Sequence, residues 1–237
     1  TDKDDITKIN KKKTDKKVAK LKQLESELAK KTANKQDKGK DKDKQSEQLS
    51  KSPSEIRLEI IDEFKYAYNC YKKCAWGFDT VHPLSCTGTN DAFDLGLAMI
   101  DALDTLIIMN MVDQDMDIEN DINDIKEWVT NKMRFNRKNE VSLFESTIRV
   151  LGGLLSAYHL TNHTVYLDRA KQLGDKLMHA FDTSSGIPYA SVDFSKDKGF
   201  NPGWSRSATS TSEAASVQLE FNYLSYLTND NKYAEIA

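Results

Sequence analysis

Leu95-Gly96-Leu97-Ala98-Met99-Ile100-Asp101-Ala102-Leu103-Asp104-Thr105-Leu106-Ile107-Ile108-Met109-Asn110-Met111-Val112 comes nearer than any other run in the chain to the length of a membrane span, yet Asp101 and Asp104 stand in its middle. Two unpaired carboxylates are too costly in hydrocarbon, so the run reads as an interior helix of a folded domain, predicted from about Ala92 to Met111. Its apolar residues cover much of the circumference instead of one stripe, as in a helix of an inner layer. Such a helix requires an outer layer of helices around it.

Working outward, the neighbouring helices are legible. Ser52-Pro53-Ser54-Glu55 opens a helix in which Ile56, Ile60, Phe64, Ala67 and Tyr71 share one face, running to about Cys74. Trp128, Val129 and Met133 suggest a helix between Ile118 and Arg134. Ser142 to Leu160 predicts another, Thr164 to Phe181 the next, and Thr209 to Leu227 a sixth that is again apolar over much of its circumference. Lys232 begins a seventh. No alternating strand run competes, beyond short extended pieces around Ile187 to Val192. Successive helices joined by loops give an all-α protein: a bundle, a solenoid or an α/α toroid.

Composition divides the chain. Of 237 residues, 34 are Lys or Arg and 37 Asp or Glu, for a net charge of −3. Residues 1–50 hold 16 Lys and 10 acidic groups, leaving 18 basic and 27 acidic groups beyond, and all 21 aromatics lie at or after Phe64. A leading segment without aromatics cannot bury enough apolar area to offset the entropy of ordering it, so residues 1–54 are expected to form a disordered stem, with a short helical tendency over Val18, Leu21, Leu24 and Leu28. Residues 55–237 form the folded domain. Nucleic acid is disfavoured as a partner, because the Lys-rich segment is interleaved with Asp, lacks stacking groups and precedes an acidic domain. The chain begins with Thr1, so a membrane association would have to come from an anchor upstream of it.

The four histidines, His82, His159, His163 and His179, form no ligand pattern with Cys70, Cys74 and Cys86, which disfavours zinc. The cysteines read as small semi-buried thiols with one bridge available between Cys74 and Cys86. Asn162-His163-Thr164 is a glycosylation acceptor triplet placed in a turn between two helical patterns.

Three polar clusters stand out. Asp101 and Asp104, three apart on an apolar helix, need partners or a polar cavity. Bracing neighbouring helices explains them as well as substrate binding does. Glu145 and Arg149 are one turn apart, suited to an internal ion pair, although by spacing alone a solvated face is the commoner meaning. Gly152-Gly153 behind them costs helix propensity and points to close packing or backbone access to a ligand. Glu213 and Glu220, seven apart, share roughly one face. By periodicity alone they are a capping and a rim residue, whereas inward carboxylates on a helical ring would suit sugar hydroxyls, a hydrated cation or an acid/base pair.

These residues lie within blocks that resemble glycoside hydrolase family 47, the class I α-1,2-mannosidases of the endoplasmic reticulum and Golgi together with their degradation-enhancing mannosidase-like relatives. The blocks are Ala75-Trp76-Gly77-Phe78-Asp79, the helix from Gly96 to Leu106, Phe144-Glu145-Ser146-Thr147-Ile148-Arg149 through Tyr158, Gly186-Ile187-Pro188-Tyr189 and Leu219-Glu220-Phe221. Ordered over most of residues 60–237, they imply an (αα)7 barrel, present here over about six to seven helices. They further imply a Ca2+ ion at the barrel floor and inverting hydrolysis of terminal α-1,2-linked mannose from high-mannose N-glycans. By this resemblance Glu145 matches the general acid, and Arg149 the arginine accompanying it. Asp101, Asp104, Glu213 and Glu220 match acidic positions around the sugar and cation, Glu213 acting through calcium-bound water and no residue of this chain ligating the metal directly. Two positions depart from the family pattern, Asp94 and Ala215 standing where Gly is usual. The family's catalytic base, its other catalytic aspartate and its calcium-binding threonine fall outside the resemblance, so the 237-residue chain alone is expected to be inactive. The implied whole is a lumenal, type II anchored monomer of the endoplasmic reticulum or Golgi. A noncatalytic, mannose-binding quality-control protein is the alternative.

Overall fold

The computed structural model describes residues 51–136, 140–203 and 207–237. Residues 1–50 of the expected stem, with its helical tendency over Val18–Leu28, lie outside those residues, and Pro53 and Ser54 at its end belong to the first helix. Contacts delimit a compact unit over Pro53–Ala237. In it follow α1 (Pro53–Ala75), β1 (Thr80–His82), β2 (Thr87–Thr89), α2 (Leu97–Asp113), α3 (Met116–Asn131) and β3 (Glu140–Ser142). Next, α4 (Leu143–Glu145), a π-helical turn (Ser146–Leu151) and α5 (Gly152–Thr161) run on without a break. Then come α6 (Thr164–Leu177) with a 3₁₀ extension (Met178–Phe181), β4 (Ser191–Asp193), β5 (Lys198–Phe200), α7 (Thr211–Ala214), α8 (Gln218–Thr228) and α9 (Lys232–Ile236).

The helices form two layers. Apolar all round, α2 packs against α5, and α5 against α8. The amphipathic α3 and α6 pack on these and on each other, each presenting one buried stripe: Ile118, Ile122, Ile125 and Val129 on α3, and Tyr166, Ala170, Leu173 and Leu177 on α6. α1 joins the outer layer through Lys65 to Asp115 and Lys72 to Asp121. α9 closes on α8, its Lys232 and Tyr233 both donating to Asp175 of α6 at 2.7 Å.

The expected helices are present with three differences. α2 starts at Leu97 instead of Ala92, because Gly96 is left-handed (φ 68°) and the preceding turn is held by Asp79. The predicted sixth helix is broken between Ala214 and Gln218 into α7 and α8, and the fourth carries the π turn. Of the short strands, β4 begins within the extended stretch expected around Ile187 to Val192, and the other four escaped the sequence pattern. β1 pairs with β2, and β3, β4 and β5 form an antiparallel sheet in that order. Each has three residues, too few for an alternation to register. Cys74 is bridged to Cys86, tying the β1–β2 hairpin to the end of α1, while Cys70 remains a free thiol.

Two glycines explain how the α2 end packs. Gly77 (φ 86°) and Gly96 (φ 68°) clasp the Trp128 indole of α3, where a Cβ on either would come within 2.8 Å of the ring. Larger residues would collide there in a backbone conformation they already resist. Asp94, a departure from the family's Gly, also has a positive φ of 54°, which Asp tolerates better than most residues. Ala215, the other departure, has φ −102° and carries no such strain.

Candidate active site

The site begins at the end of the small sheet. Leu143 N–H donates to the Ala190 carbonyl at 2.9 Å, extending the β3–β4 pairing, and Ser142 Oγ accepts from the Glu145 N–H at 3.3 Å as the cap of the helix that follows. Glu145 therefore sits on the first turn, where backbone hydrogen bonds and the sheet fix its position. The π turn comes next; turns of this kind occur frequently at functional sites. Within it, Arg149 Nε donates to Glu145 Oε2 at 2.5 Å, and its Nη1 donates to Asp101 Oδ2 of α2 at 3.1 Å.

One guanidinium thus joins two carboxylates from two inner helices. The Glu145 hydrogen bond, and after it the Asp101 bond, raises the Arg149 pKa above its ordinary value, so the cation is permanent. All three side chains are roughly two-fifths exposed, so solvent screens the pairs and each contributes on the order of 0.5 kcal/mol to stability. Orientation, more than stability, is what the network supplies. Glu145 Oε1 has no partner among the described residues and is left available to a ligand.

Close packing of α5 on α2 brings Arg149 to Asp101. Gly153 faces the Ile100 carbonyl oxygen, which a Cβ there would approach to 2.8 Å. The adjacent Gly152 faces Glu220 of α8, whose Oε1 would lie 3.7 Å from a Cβ. Of the two meanings of this glycine pair, Gly153 serves helix contact and Gly152 keeps backbone open beside a carboxylate.

Glu220 is the anomalous acid. Burial raises its pKa above the usual carboxylate value, its own backbone N–H opposes this only in part, and Oε2 is buried without a hydrogen-bond partner among the described residues. It lines a groove of about 460 Å³ whose walls include Ile108, Leu155, Leu219 and Tyr223. Ile108 and Leu219 are more than half exposed. Tyr223 is braced across the groove by His159 Nδ1 at 2.5 Å.

Of the six residues singled out in the sequence, Asp101, Glu145 and Arg149 are joined directly. Glu213 lies on α7, which packs beside α4, and Asp104 lies one turn along α2 from Asp101. Among the described residues neither they nor Glu220 is hydrogen-bonded to the Arg149 network. The sequence reading missed Asp79. Its buried carboxylate accepts the backbone N–H groups of Phe93 and Asp94 at 2.5 Å, Leu95 at 3.0 Å and Leu97 at 2.9 Å. The available signal was its position in the Trp76-Gly77-Phe78-Asp79 block, because no local spacing links it to residues up to 18 places away.

The arrangement combines an oriented carboxyl and a fixed cation with a separate, partly apolar groove lined by Glu220. The profile of Glycosyl hydrolase family 47 matches residues 63–237. The chain belongs to glycosyl hydrolase family 47. It is 42% identical over 176 residues to the human endoplasmic reticulum mannosyl-oligosaccharide 1,2-alpha-mannosidase, covering 74% of this chain and 24% of that protein. Against the mannosyl-oligosaccharide 1,2-alpha-mannosidase of Candida albicans it is 42% identical over 181 residues, 76% of this chain and 30% of the relative. The solved alpha-1,2-mannosidase of Trichoderma reesei superposes with a TM-score of 0.65 at 33% identity, over 78% of this chain and 40% of the other. The two helical layers of this family 47 chain are accordingly part of an α/α barrel, and the chain spans about a quarter to a third of the length of these curated relatives.

Among the described residues no group of three or more His, Cys, Asp or Glu is placed to hold a metal ion. The role that the resemblance gives Glu213, reaching a calcium-bound water, needs no such group of direct ligands.

Proposed function

We propose that the protein containing this chain hydrolyses terminal α-1,2-linked mannose from high-mannose N-glycans with inversion, and that Glu145 is its general acid. The observation that carries this reading is the Glu145–Arg149–Asp101 network at the head of the π-turned helix. The network holds one carboxyl oxygen by a fixed cation and leaves the other free for a leaving glycosidic oxygen, directly or through a water. Inversion requires a second carboxylate on the opposite face of the sugar, about 6.5–9.5 Å from the acid, to take a proton from the attacking water. That base comes from outside the residues described. Asp101, Asp104, Glu213 and Glu220 would bind sugar hydroxyls, with Glu213 reaching a calcium-bound water when Ca2+ is present.

The compartment supported is the lumen of the endoplasmic reticulum. The Cys74–Cys86 bridge suits an oxidising environment, and several relatives are named as endoplasmic reticulum mannosidases. An anchor upstream of residue 1 would hold the protein at the membrane; no described helix is long and apolar enough to cross one.

The test is the full-length protein incubated with a high-mannose N-glycan and Ca2+, with released mannose followed by NMR. β-Mannose as the first anomer, and its loss on Glu145→Gln with glycan binding retained, is the expected result. Binding without release by the unsubstituted protein would instead establish the noncatalytic, mannose-binding alternative.

A further inference from the structure

We propose that Asn162 carries an N-linked glycan. The sequence holds a single Asn-X-Ser/Thr triplet, Asn162-His163-Thr164, and the fold places Asn162 and His163 in the two-residue turn between α5 and α6, with Thr164 the first residue of α6. All three residues are exposed. Asn162 is left-handed (φ 59°, ψ 21°) and ends α5 through its backbone, its N–H donating to the Tyr158 carbonyl at 2.7 Å. Asn is one of the few residues that adopts this conformation readily.

The turn is supported without the Asn162 side chain. Thr161 Oγ1 donates to the Ala157 carbonyl and accepts from the His163 N–H at 3.3 Å, while the Tyr166 N–H returns to the His163 carbonyl at 3.1 Å. The Asn162 side-chain amide and the Thr164 hydroxyl have no partner among the described residues, so neither is committed to the fold. A bulky substituent on Nδ2 would extend into solvent.

The chemistry is transfer of an oligosaccharide from a polyprenyl diphosphate donor. Nδ2 forms a bond to the anomeric carbon, the bond from that carbon to the diphosphate oxygen breaks, the lipid diphosphate departs, and a base of the transferase takes the amide proton. The inference rests on the lumenal compartment proposed above and is independent of any role for Glu145. Leu160, which lines the apolar groove, is two residues before Asn162, so the sugar chain would start at the rim of that groove.

The experiment is expression of the full-length protein through a glycosylating secretory pathway, followed by peptide mass spectrometry before and after a peptide N-glycosidase. Asn162 is the single Asn in the tryptic peptide from Val150 to Arg169, so a modification there is assigned without ambiguity. The wild type and Thr164→Ser should carry glycan. Asn162→Asp, which keeps the tolerance for a left-handed backbone, and Thr164→Val should lose it, with Cys74 and Cys86 oxidised in all four. An unmodified wild-type peptide with the bridge oxidised overturns the glycan. An unmodified peptide with both thiols reduced overturns the lumenal placement, and the glycan with it.

Discussion

A methyl group placed on Gly153 would lie 2.8 Å from the Ile100 carbonyl oxygen and 3.1 Å from Ile100 Cγ2, whereas one on Gly152 would meet nothing nearer than 3.6 Å. Both glycines are helical, so Ala at either gains the same helix propensity, about 1 kcal/mol. The difference between the two variants therefore isolates the steric contact. At Gly153 the obstructing atom is main chain and cannot swing away, so α5 must retreat from α2, at an overpacking cost of about 1–3 kcal/mol. Gly152→Ala should then be stabilising by roughly 0.5–1 kcal/mol, with Gly153→Ala lower than it by about 1–3 kcal/mol. For a domain of this size that gap is roughly 3–9 °C in the melting midpoint. Thermal unfolding followed by circular dichroism, with both variants and wild type in one buffer, measures it. Equal midpoints for the two alanines would refute the close approach of α5 to α2, and with it the account of how Arg149 reaches Asp101.

Further outcomes follow from the site and its supports. In the full-length protein, Glu145→Gln should lower mannose release by about 10²–10⁴-fold with the melting midpoint little changed, as loss of a general acid does; turnover assays on natural glycan check it. The 237-residue polypeptide by itself should release no mannose, and release abolished by Glu145→Gln would show this wrong. For Glu220, burial raises the folded-state pKa, so its contribution to stability is full below the unfolded value and declines as pH rises through the folded one. Glu220→Gln should therefore stabilise the protein at neutral pH and leave it nearly unchanged in acid, as read by denaturant titration at several pH values. Asp175 is the opposite case: burial works to raise its pKa, yet Lys232, Tyr233 and Lys171 together hold it below the ordinary value. Its stabilisation is present above the unfolded carboxylate pKa and lost as pH falls through the folded one, so Asp175→Asn should flatten the acid limb of the stability profile. Replacing Cys74 and Cys86 by Ala opens a loop whose ends are 12 residues apart and should cost about 3 kcal/mol in the same titration.

The helices and their layers were legible because their pattern is long. Ile56, Ile60, Phe64, Ala67 and Tyr71 repeat over most of α1, and the all-round apolarity of α2 announces an inner position. Periodicity could not show the three-residue strands, the π turn or the break between α7 and α8, since each is shorter than one period of the signal that would reveal it. At the site, the i, i+4 relation of Glu145 to Arg149 was visible locally, and the structure realises it as an ion pair. The third member was not. Asp101 stands 48 residues from Arg149, and nothing in either local pattern says that α2 and α5 pack at that height. Asp79 was hidden for the same reason, its partners being main-chain amides that carry no residue-type signature.

The Asp79 knot has a consequence for the Glu145–Arg149–Asp101 network. Its carboxylate decides where α2 may begin, and Asp101 follows four residues after Leu97. Starting the helix one residue later would turn every side chain on it by about 100° and swing Asp101 out of reach of the guanidinium. A buried side chain thus acts as the index mark against which the inner helix is dialled. Damage there would surface as a mis-set Arg149 long before the helix itself was lost.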